Sequence, residues 1–120
     1  MILADASVWI DHFRRSDPKL ASLLYDHQVL IHPFVVGELA GGTLPGHRAE
    51  ALADLEKLPG APVASHAEVM DLVERRGLAG SGIGWVDAHL LASSLLARAL
   101  IWTLDRALAK QAGRLGVSAG

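Results

Sequence analysis

Four acidic residues stand apart from the other carboxylates of the chain because each follows an apolar stretch. They are Asp5, Glu38, Asp87 and Asp105. Most of the remaining acids lie in charge-rich helical segments and are expected to be solvated. A carboxylate is almost never buried without a partner. The apolar surroundings of these four therefore raise the question of what neutralises them.

Carboxylates that converge need a neutralising charge. Two negative charges about 4 Å apart repel by about 4 kcal/mol at an effective dielectric constant of roughly 20. Arg106 is the only basic residue that lies close in sequence to any of the four acids. A convergent set must therefore bind protons or a cation, and an all-oxygen ligand set favours Mg²⁺, with Mn²⁺ as the alternative. Taken singly, each acid has a simpler interpretation as a helix cap or a lone ion pair.

The alternation of apolar runs and helical patterns predicts how these acids are positioned. Apolar runs predict strands at 2–4, 28–31, 61–64 and 100–103, with a short final strand around Val117. Helices are predicted between them, over 6–15, 18–26, 33 to about 40, 47–58, 66–78, 85–99 and about 104–115. This order indicates parallel crossovers. We therefore expect a three-layer α/β/α sandwich with a central, mainly parallel sheet of four to five strands.

Such a fold brings the carboxyl ends of strands and the N-terminal ends of crossover helices to one edge of the sheet. Asp5 and Asp105 follow strands, Asp87 lies in the first turn of its helix, and Glu38 lies about one and a half turns into its helix. If the first and fourth strands are neighbours, all four carboxylates reach the rim where α/β sheets bind ligands. The joint placement favours a metal site over four unrelated caps.

Length and composition limit the remaining possibilities. The chain has 120 residues, which predicts one domain over 1–120, and its 51% hydrophobic content excludes disorder. It has no cysteine, which excludes disulfides and thiolate sites. The longest stretch without a charged residue is 11 residues, so we expect no membrane span and a soluble, cytoplasmic protein. A net charge of −2 argues against binding through bulk electrostatics.

The histidines and tryptophans offer no competing chemistry. None of the six histidines has the spacing of a zinc site. His89 follows Asp87 by two residues and so cannot share its helix face. Trp9, Trp85 and Trp102 all occupy apolar segments, where core packing is the simpler interpretation and an interface is the alternative for Trp9.

Four segments of the chain resemble the motifs of the PIN-domain nucleases. They are Asp5-Ala6-Ser7-Val8-Trp9-Ile10, Val35-Val36-Gly37-Glu38-Leu39, the segment from Ile83 to Ala92 that contains Asp87, and Trp102-Thr103-Leu104-Asp105. The four acids are separated by 33, 49 and 18 residues. These gaps suit the compact form of the family that occurs as VapC-type toxins of bacterial toxin–antitoxin pairs.

The resemblance implies a metal-dependent endoribonuclease that cleaves cellular RNA through a metal-activated water and so inhibits translation and growth. It implies that Asp5 and Asp87 are the main Mg²⁺ ligands and that Glu38 and Asp105 complete the acidic pocket. The hydroxyls of two further residues would orient the carboxylates. These residues are Ser7 and Thr103.

The resemblance also implies partners. A VapC-type toxin is usually a homodimer, and a cognate VapB-like antitoxin neutralises it by placing a basic side chain in the acidic pocket. Arg98, Arg106 and Arg114 give the C-terminal end a basic character and are candidates for contacts with the RNA backbone. Two alternatives stay open. One is a non-catalytic PIN-like module that binds a protein, and the other is a phospho-receiver domain, whose acid and lysine positions the chain does not match.

Overall fold

Three short parallel strands form the centre of the fold. The computed structural model describes all residues, 1–120. Strand β1 (Ile2–Ala4) lies between β2 (Val29–Leu30) and β3 (Leu100–Trp102) and is parallel to both. The predicted neighbourhood of the first strand and the strand that begins at Leu100 is therefore confirmed. Because the chain passes from β1 to β2 and then crosses to the other side of β1, the strand order reverses at β1.

Seven helices complete the α/β/α arrangement. Helices α1 and α2 connect β1 to β2, four helices connect β2 to β3, and α7 follows β3. Their bounds are α1 (Ala6–Arg15), α2 (Pro18–Tyr25), α3 (Pro33–Gly41), α4 (Arg48–Glu56), α5 (His66–Arg75), α6 (Trp85–Ala97) and α7 (Arg106–Arg114). None of the seven combines the length and the hydropathy that crossing a bilayer requires.

The prediction of four to five strands is wrong, because two of the predicted strands reduce to single bridges. Gly60 pairs with Ile31 beyond β2, and Ser118 pairs with Ile101 beyond β3. Prolines stand on both sides of Gly60, at positions 59 and 62, and a proline cannot donate to a ladder. At the other edge, β3 is only three residues long. One bridge therefore extends the sheet at each edge, but neither bridge is continued by the further backbone hydrogen bonds that would make it a strand.

Local capping sets where the helices begin. Asp17 accepts hydrogen bonds from two backbone N–H groups at the start of α2, and Pro18 occupies the first helical position. Ser65 and Glu68 form a reciprocal capping box at the start of α5. These caps are encoded in neighbouring residues, which is why the predicted helix starts agree with the structure.

The loop between α5 and α6 is built from residues with left-handed backbone conformations. Gly77, Gly80 and Gly82 have φ values of +62°, +71° and +90°, which residues with a side chain rarely adopt. Helix α5 was predicted to reach residue 78 but ends at Arg75, because Gly77 reverses the backbone directly after the C-cap.

The core lies on both faces of the sheet. Leu3 of β1 and Ile101 of β3 are buried, and the apolar helix α6 contributes Leu90 and Leu91, which have no exposed surface. One cluster of buried side chains links the three strands with six helices. Helix α6 is thus held on its inner face, and its first turn is fixed at the edge of the sheet.

His32 is a buried polar residue at the start of α3. Its Nδ1 accepts the backbone N–H of Phe34 at 2.9 Å, and its side chain is completely buried. Burial, together with the neighbouring His89, lowers the pKa of His32 from 6.5 to about 4. The imidazole is therefore neutral in the folded protein at ordinary pH, since its Nδ1 must stay unprotonated to cap the helix.

Acid should destabilise the protein through His32. Between pH 6.5 and about 4 the unfolded chain protonates this histidine and the folded chain does not, so the free energy of unfolding falls as the pH falls. A shift of this size corresponds to a loss of about 3 kcal/mol, complete below the folded pKa. Urea unfolding at a series of pH values measures it in the wild type and in His32→Asn, which retains an acceptor for the helix cap.

The matched control is His27→Asn, because His27 is exposed and its φ of 55° suits asparagine. We expect the stability difference between wild type and His32→Asn to change with pH across this window. The same series for His27→Asn shows how much of any change with pH comes from the loss of a histidine at an exposed position. A difference for His32→Asn that does not depend on pH would contradict the assignment.

Candidate metal centre at the carboxyl ends of the strands

Asp5 lies at the carboxyl end of the central strand, where the strand order reverses. Its side chain is buried, with 6% of the residue exposed. One carboxylate oxygen accepts the Ser7 hydroxyl and, at 3.2 Å, the backbone N–H of Val8. The other oxygen accepts the hydroxyl of Thr103. Asp5 therefore caps α1 while three donors compensate its burial.

Ser7 and Thr103 join the two strands that flank the site. Each hydroxyl donates to Asp5, and each also accepts a backbone N–H at 3.0 Å. Ser7 accepts from Leu104, and Thr103 accepts from Asp105. The direction of both hydroxyl protons is thus fixed toward the carboxylate. The network ties β1 and α1 to β3 and the start of α7.

Asp87 lies in the first turn of α6 and is half-buried. Its Oδ2 accepts the backbone N–H of Gly84 at 3.2 Å, which fixes the carboxylate at the helix start. Burial raises the pKa of Asp87, and the charges on Asp105 and Asp5 raise it further, while the Gly84 hydrogen bond acts in the opposite direction. The structure thus brings three of the predicted acids into electrostatic contact.

Glu38 joins the same group from α3. Its side chain keeps contact with solvent, but partial desolvation raises its pKa, and the charges on Asp87 and Asp5 raise it again. All four predicted acids therefore face one rim, and they arrive there from β1, α3, α6 and the turn after β3. Asp105 caps α7 through a bond from the N–H of Ala107 at 3.3 Å.

No basic side chain neutralises this group. The ion pairs of the protein are Arg15–Asp11, Lys57–Asp54 and Arg75–Asp71, and all lie between neighbouring turns of helix surfaces. None includes an acid of the rim. The four acids therefore carry negative charge that no ion pair within the protein compensates.

The donor set fits a hard divalent cation. It consists of carboxylate oxygens alone, in a partly desolvated place where the charges repel one another, and such a set favours Mg²⁺ or Mn²⁺. No three Asp, Glu or His side chains already converge closely enough to hold an ion. Both Asp5 oxygens instead accept hydrogen bonds from the hydroxyls of Ser7 and Thr103.

The three predicted RNA-contacting arginines lie in different places. Arg106 is the first residue of α7 and lies beside Asp105 at the rim. Arg98 ends α6 two residues before β3 begins, and Arg114 lies in the last turn of α7, where it binds the backbone carbonyl of Arg76. Because α6 and α7 run against the strands, Arg98 and Arg114 lie at the edge opposite the acids.

Arg14 is a basic residue near Glu38 that the sequence analysis did not select. It lines a groove of about 250 Å³ together with Glu38 and Thr43. The position of Arg14 in α1 gives no indication of this, because the groove forms only when α1 packs beside α3. Arg14 thus lies near Glu38, while Arg106 lies next to Asp105.

A comparison with protein families decides the assignment of the fold. The profile of the PIN domain matches residues 2–114. The chain belongs to the PIN-domain family. The four motifs that suggested it are confirmed as a family resemblance, and the receiver-domain alternative is removed. A PIN domain is a three-layer α/β/α fold, in agreement with the parallel sheet and the helices described above.

This PIN domain is also similar to individual proteins. Ribonuclease VapC32 from two strains of Mycobacterium tuberculosis is 44% identical to it over 119 residues, which cover 98% of this chain and 95% of the relative. The similarity extends over nearly the whole of both chains and therefore includes the rim. It confirms the resemblance to VapC-type toxins.

Removing the Thr103 hydroxyl should destabilise the fold. In Thr103→Val, buried Asp5 loses a donor and the N–H of Asp105 loses its acceptor. We expect a loss of about 1–3 kcal/mol in the free energy of unfolding, measured in urea. Thr43→Val is the control, since Thr43 is exposed in the loop after α3, and its effect should stay within about 0.5 kcal/mol. Equal effects of the two variants would show that the network does not support Asp5.

Proposed function

We propose that this PIN domain is a Mg²⁺-dependent endoribonuclease of the VapC type, with Mn²⁺ as an alternative ion. One observation carries the proposal: four carboxylates from separate elements lie at one rim and form no ion pair, in a chain that closely resembles a ribonuclease. A structural cluster of acids would be expected to include its own counter-charges. A site that binds a cation needs no counter-charge from the protein.

The residues at the rim have distinct parts in this proposal. Asp5 and Asp87 would hold the ion, and Glu38 and Asp105 would complete the pocket. When bound, a divalent ion supplies Lewis-acid activation of water and neutralises charge on the phosphodiester. Burial and hydrogen bonds keep the Asp5 carboxylate in place, as the Gly84 N–H does for Asp87.

The hydroxyls and arginines have supporting parts. Ser7 and Thr103 orient Asp5 through the hydrogen bonds described above and do not reach the substrate. Arg14, which lies near Glu38, and Arg106, which lies next to Asp105, would bind phosphates of the RNA backbone. Because Arg98 and Arg114 lie at the opposite edge, the proposal assigns them no contact at the cleavage site.

The biological setting follows from the family. We propose that RNA cleavage by this protein inhibits translation and growth, and that a cognate VapB-like antitoxin neutralises it by presenting a basic group to the acidic rim. Such a group would replace the cation electrostatically, since no acid of the rim forms an ion pair within the protein. We also propose a homodimer as the working form.

The first test is RNA cleavage by Asp87→Asn. The amide retains an oxygen for the Gly84 N–H, so the helix start should survive, but the negative charge is lost. We expect cleavage in Mg²⁺ to fall by at least on the order of 100-fold and a chelator to stop cleavage by the wild type. The matched control is Asp71→Asn, which removes a charge from the surface of α5 and should cleave normally.

Cleavage by Asp87→Asn at the wild-type rate would overturn the assignment of this residue. A wild-type protein that cleaves no RNA in Mg²⁺ or Mn²⁺ would overturn the enzyme as a whole and leave the non-catalytic, protein-binding PIN module as the better hypothesis.

The second test measures ion binding without RNA. A ligand that binds only the folded state stabilises it, by about 2.7 kcal/mol at one hundred times its dissociation constant. We expect Mg²⁺ to raise the melting temperature of the wild type and of Asp71→Asn at constant ionic strength, and to leave Asp87→Asn unchanged. An equal rise in all three proteins would indicate non-specific binding and contradict the site.

A further inference from the structure

A row of aromatic rings lies at the edge of the protein where helices α3, α5 and α6 begin. We call it the aromatic strip, and it consists of His66, Trp85, His89, Phe34 and His32. Neighbouring ring centroids are 5.0 Å apart for His66 and Trp85, 4.9 Å for Trp85 and His89, 4.6 Å for His89 and Phe34, and 5.1 Å for Phe34 and His32. The rings come from the starts of three helices, α3, α5 and α6.

The two ends of the strip differ in exposure. His32 and His89 are buried, and Phe34 is half-buried, so the inner part belongs to the core. Trp85 is 40% exposed, and His66 is exposed. Trp9, in contrast, is only 3% exposed. The outer end thus presents an indole to solvent on a base of rings that fix its position.

The strip and the acids arise from two of the same helices. On α6, Trp85 and Asp87 both lie in the first turn, although the spacing of two residues directs their side chains to different sides of the helix. On α3, Phe34 and Glu38 are four residues apart, a spacing that places them on one face of the helix. The exposed indole therefore lies at the end of α6 that carries Asp87.

This neighbourhood limits how a nucleic acid can bind. Phosphates are repelled by the acids and by the net charge of −2, so bulk electrostatics contributes little affinity near the cleavage site. Stacking of a base on an aromatic ring needs no opposite charge, because every base has a π-face. Bases are free to stack in this way where they are unpaired.

We propose that Trp85 and His66 form a stacking platform for one unpaired base of single-stranded RNA, next to the phosphate that the rim holds. This assignment rests on the proposed ribonuclease function and adds two base-binding residues to it. The buried part of the strip holds the indole rigid, so little freedom is lost when a base stacks on it. Arg106, at the start of α7, would face the backbone of that RNA.

The experiment uses the Asp87→Asn protein, because we expect this variant not to cleave the RNA that it binds. The probe is a short single-stranded RNA of mixed sequence, and it is compared with a strand of the same length and charge whose nucleotides are all abasic. We expect the normal RNA to quench tryptophan fluorescence and to bind more tightly than the abasic strand. This comparison leaves Trp85 in place and so is independent of any effect of a substitution on folding.

A second arm adds Trp85→Leu to the same protein. We expect the quenching to disappear and the affinity for normal RNA to fall by about 5- to 150-fold, which corresponds to about 1–3 kcal/mol for one stacked base. Affinity for the abasic strand should not change. The matched control is Tyr25→Leu, because Tyr25 is 86% exposed at the end of α2, away from the rim. His66→Ala should give a smaller loss of affinity in the same direction.

Two results would overturn the platform: equal affinity for normal and abasic strands, or equal effects of Trp85→Leu and Tyr25→Leu. Both are measured by binding alone. If the wild type cleaves RNA and either result is found, the platform is wrong and the ribonuclease stands. If the wild type cleaves nothing but normal RNA quenches Trp85, the platform stands and the ribonuclease is wrong.

Discussion

Mutual repulsion among carboxylates is the constraint on which this structure depends. Four negative side chains held at one rim oppose the compact state, and each must be fixed by something other than a base. Asp5 is fixed by two hydroxyls and a backbone N–H, Asp87 by the N–H of Gly84, and Asp105 by the start of α7. Uncharged hydrogen-bond donors thus position these three carboxylates without neutralising their negative charge. The rim therefore keeps a negative charge that no ion pair within the protein neutralises.

The parallel sheet makes this arrangement possible. Strands that run in one direction end at one edge, and the helices that connect them begin there, so residues far apart in the chain meet without any unusual backbone. Asp5 follows the central strand, where crossovers leave in both directions. The apolar inner face of α6 is locked in the core, which prevents Asp87 from moving away from its neighbours. Core packing and site geometry are thus parts of one arrangement.

Local patterns predicted more of this fold than long-range ones. Helix starts agree with the sequence analysis because caps such as Asp17 and Ser65 lie next to the helices they begin. The number of strands was wrong because a strand needs a partner, and the prolines around Gly60 and the short β3 limit pairing. The placement of the four acids at one edge of the sheet could be predicted, because it follows from the order of the elements.

The positions of the other side chains depend on packing between distant elements. Arg98 lies at the end of α6, and Arg114 lies in the last turn of α7, the helix that Asp105 caps. Both arginines lie at the edge opposite the acids, because the C-terminal ends of α6 and α7 point away from the rim. Trp85 occupies an apolar segment and was expected in the core, but the first turn of α6 extends past its packed face. The periodicity of apolar residues predicts which face of a helix is buried, but it does not show where the element that covers this face ends.

The hydrogen bond between Thr103 and Asp5 joins residues that are 98 positions apart. During synthesis on the ribosome, the central strand lacks its second neighbour until β3 has been made. A nascent polypeptide consequently contains Asp5, Glu38 and Asp87 before anything aligns the first of them with β3. The acidic rim can therefore assemble only after Thr103 and Asp105 have left the ribosome.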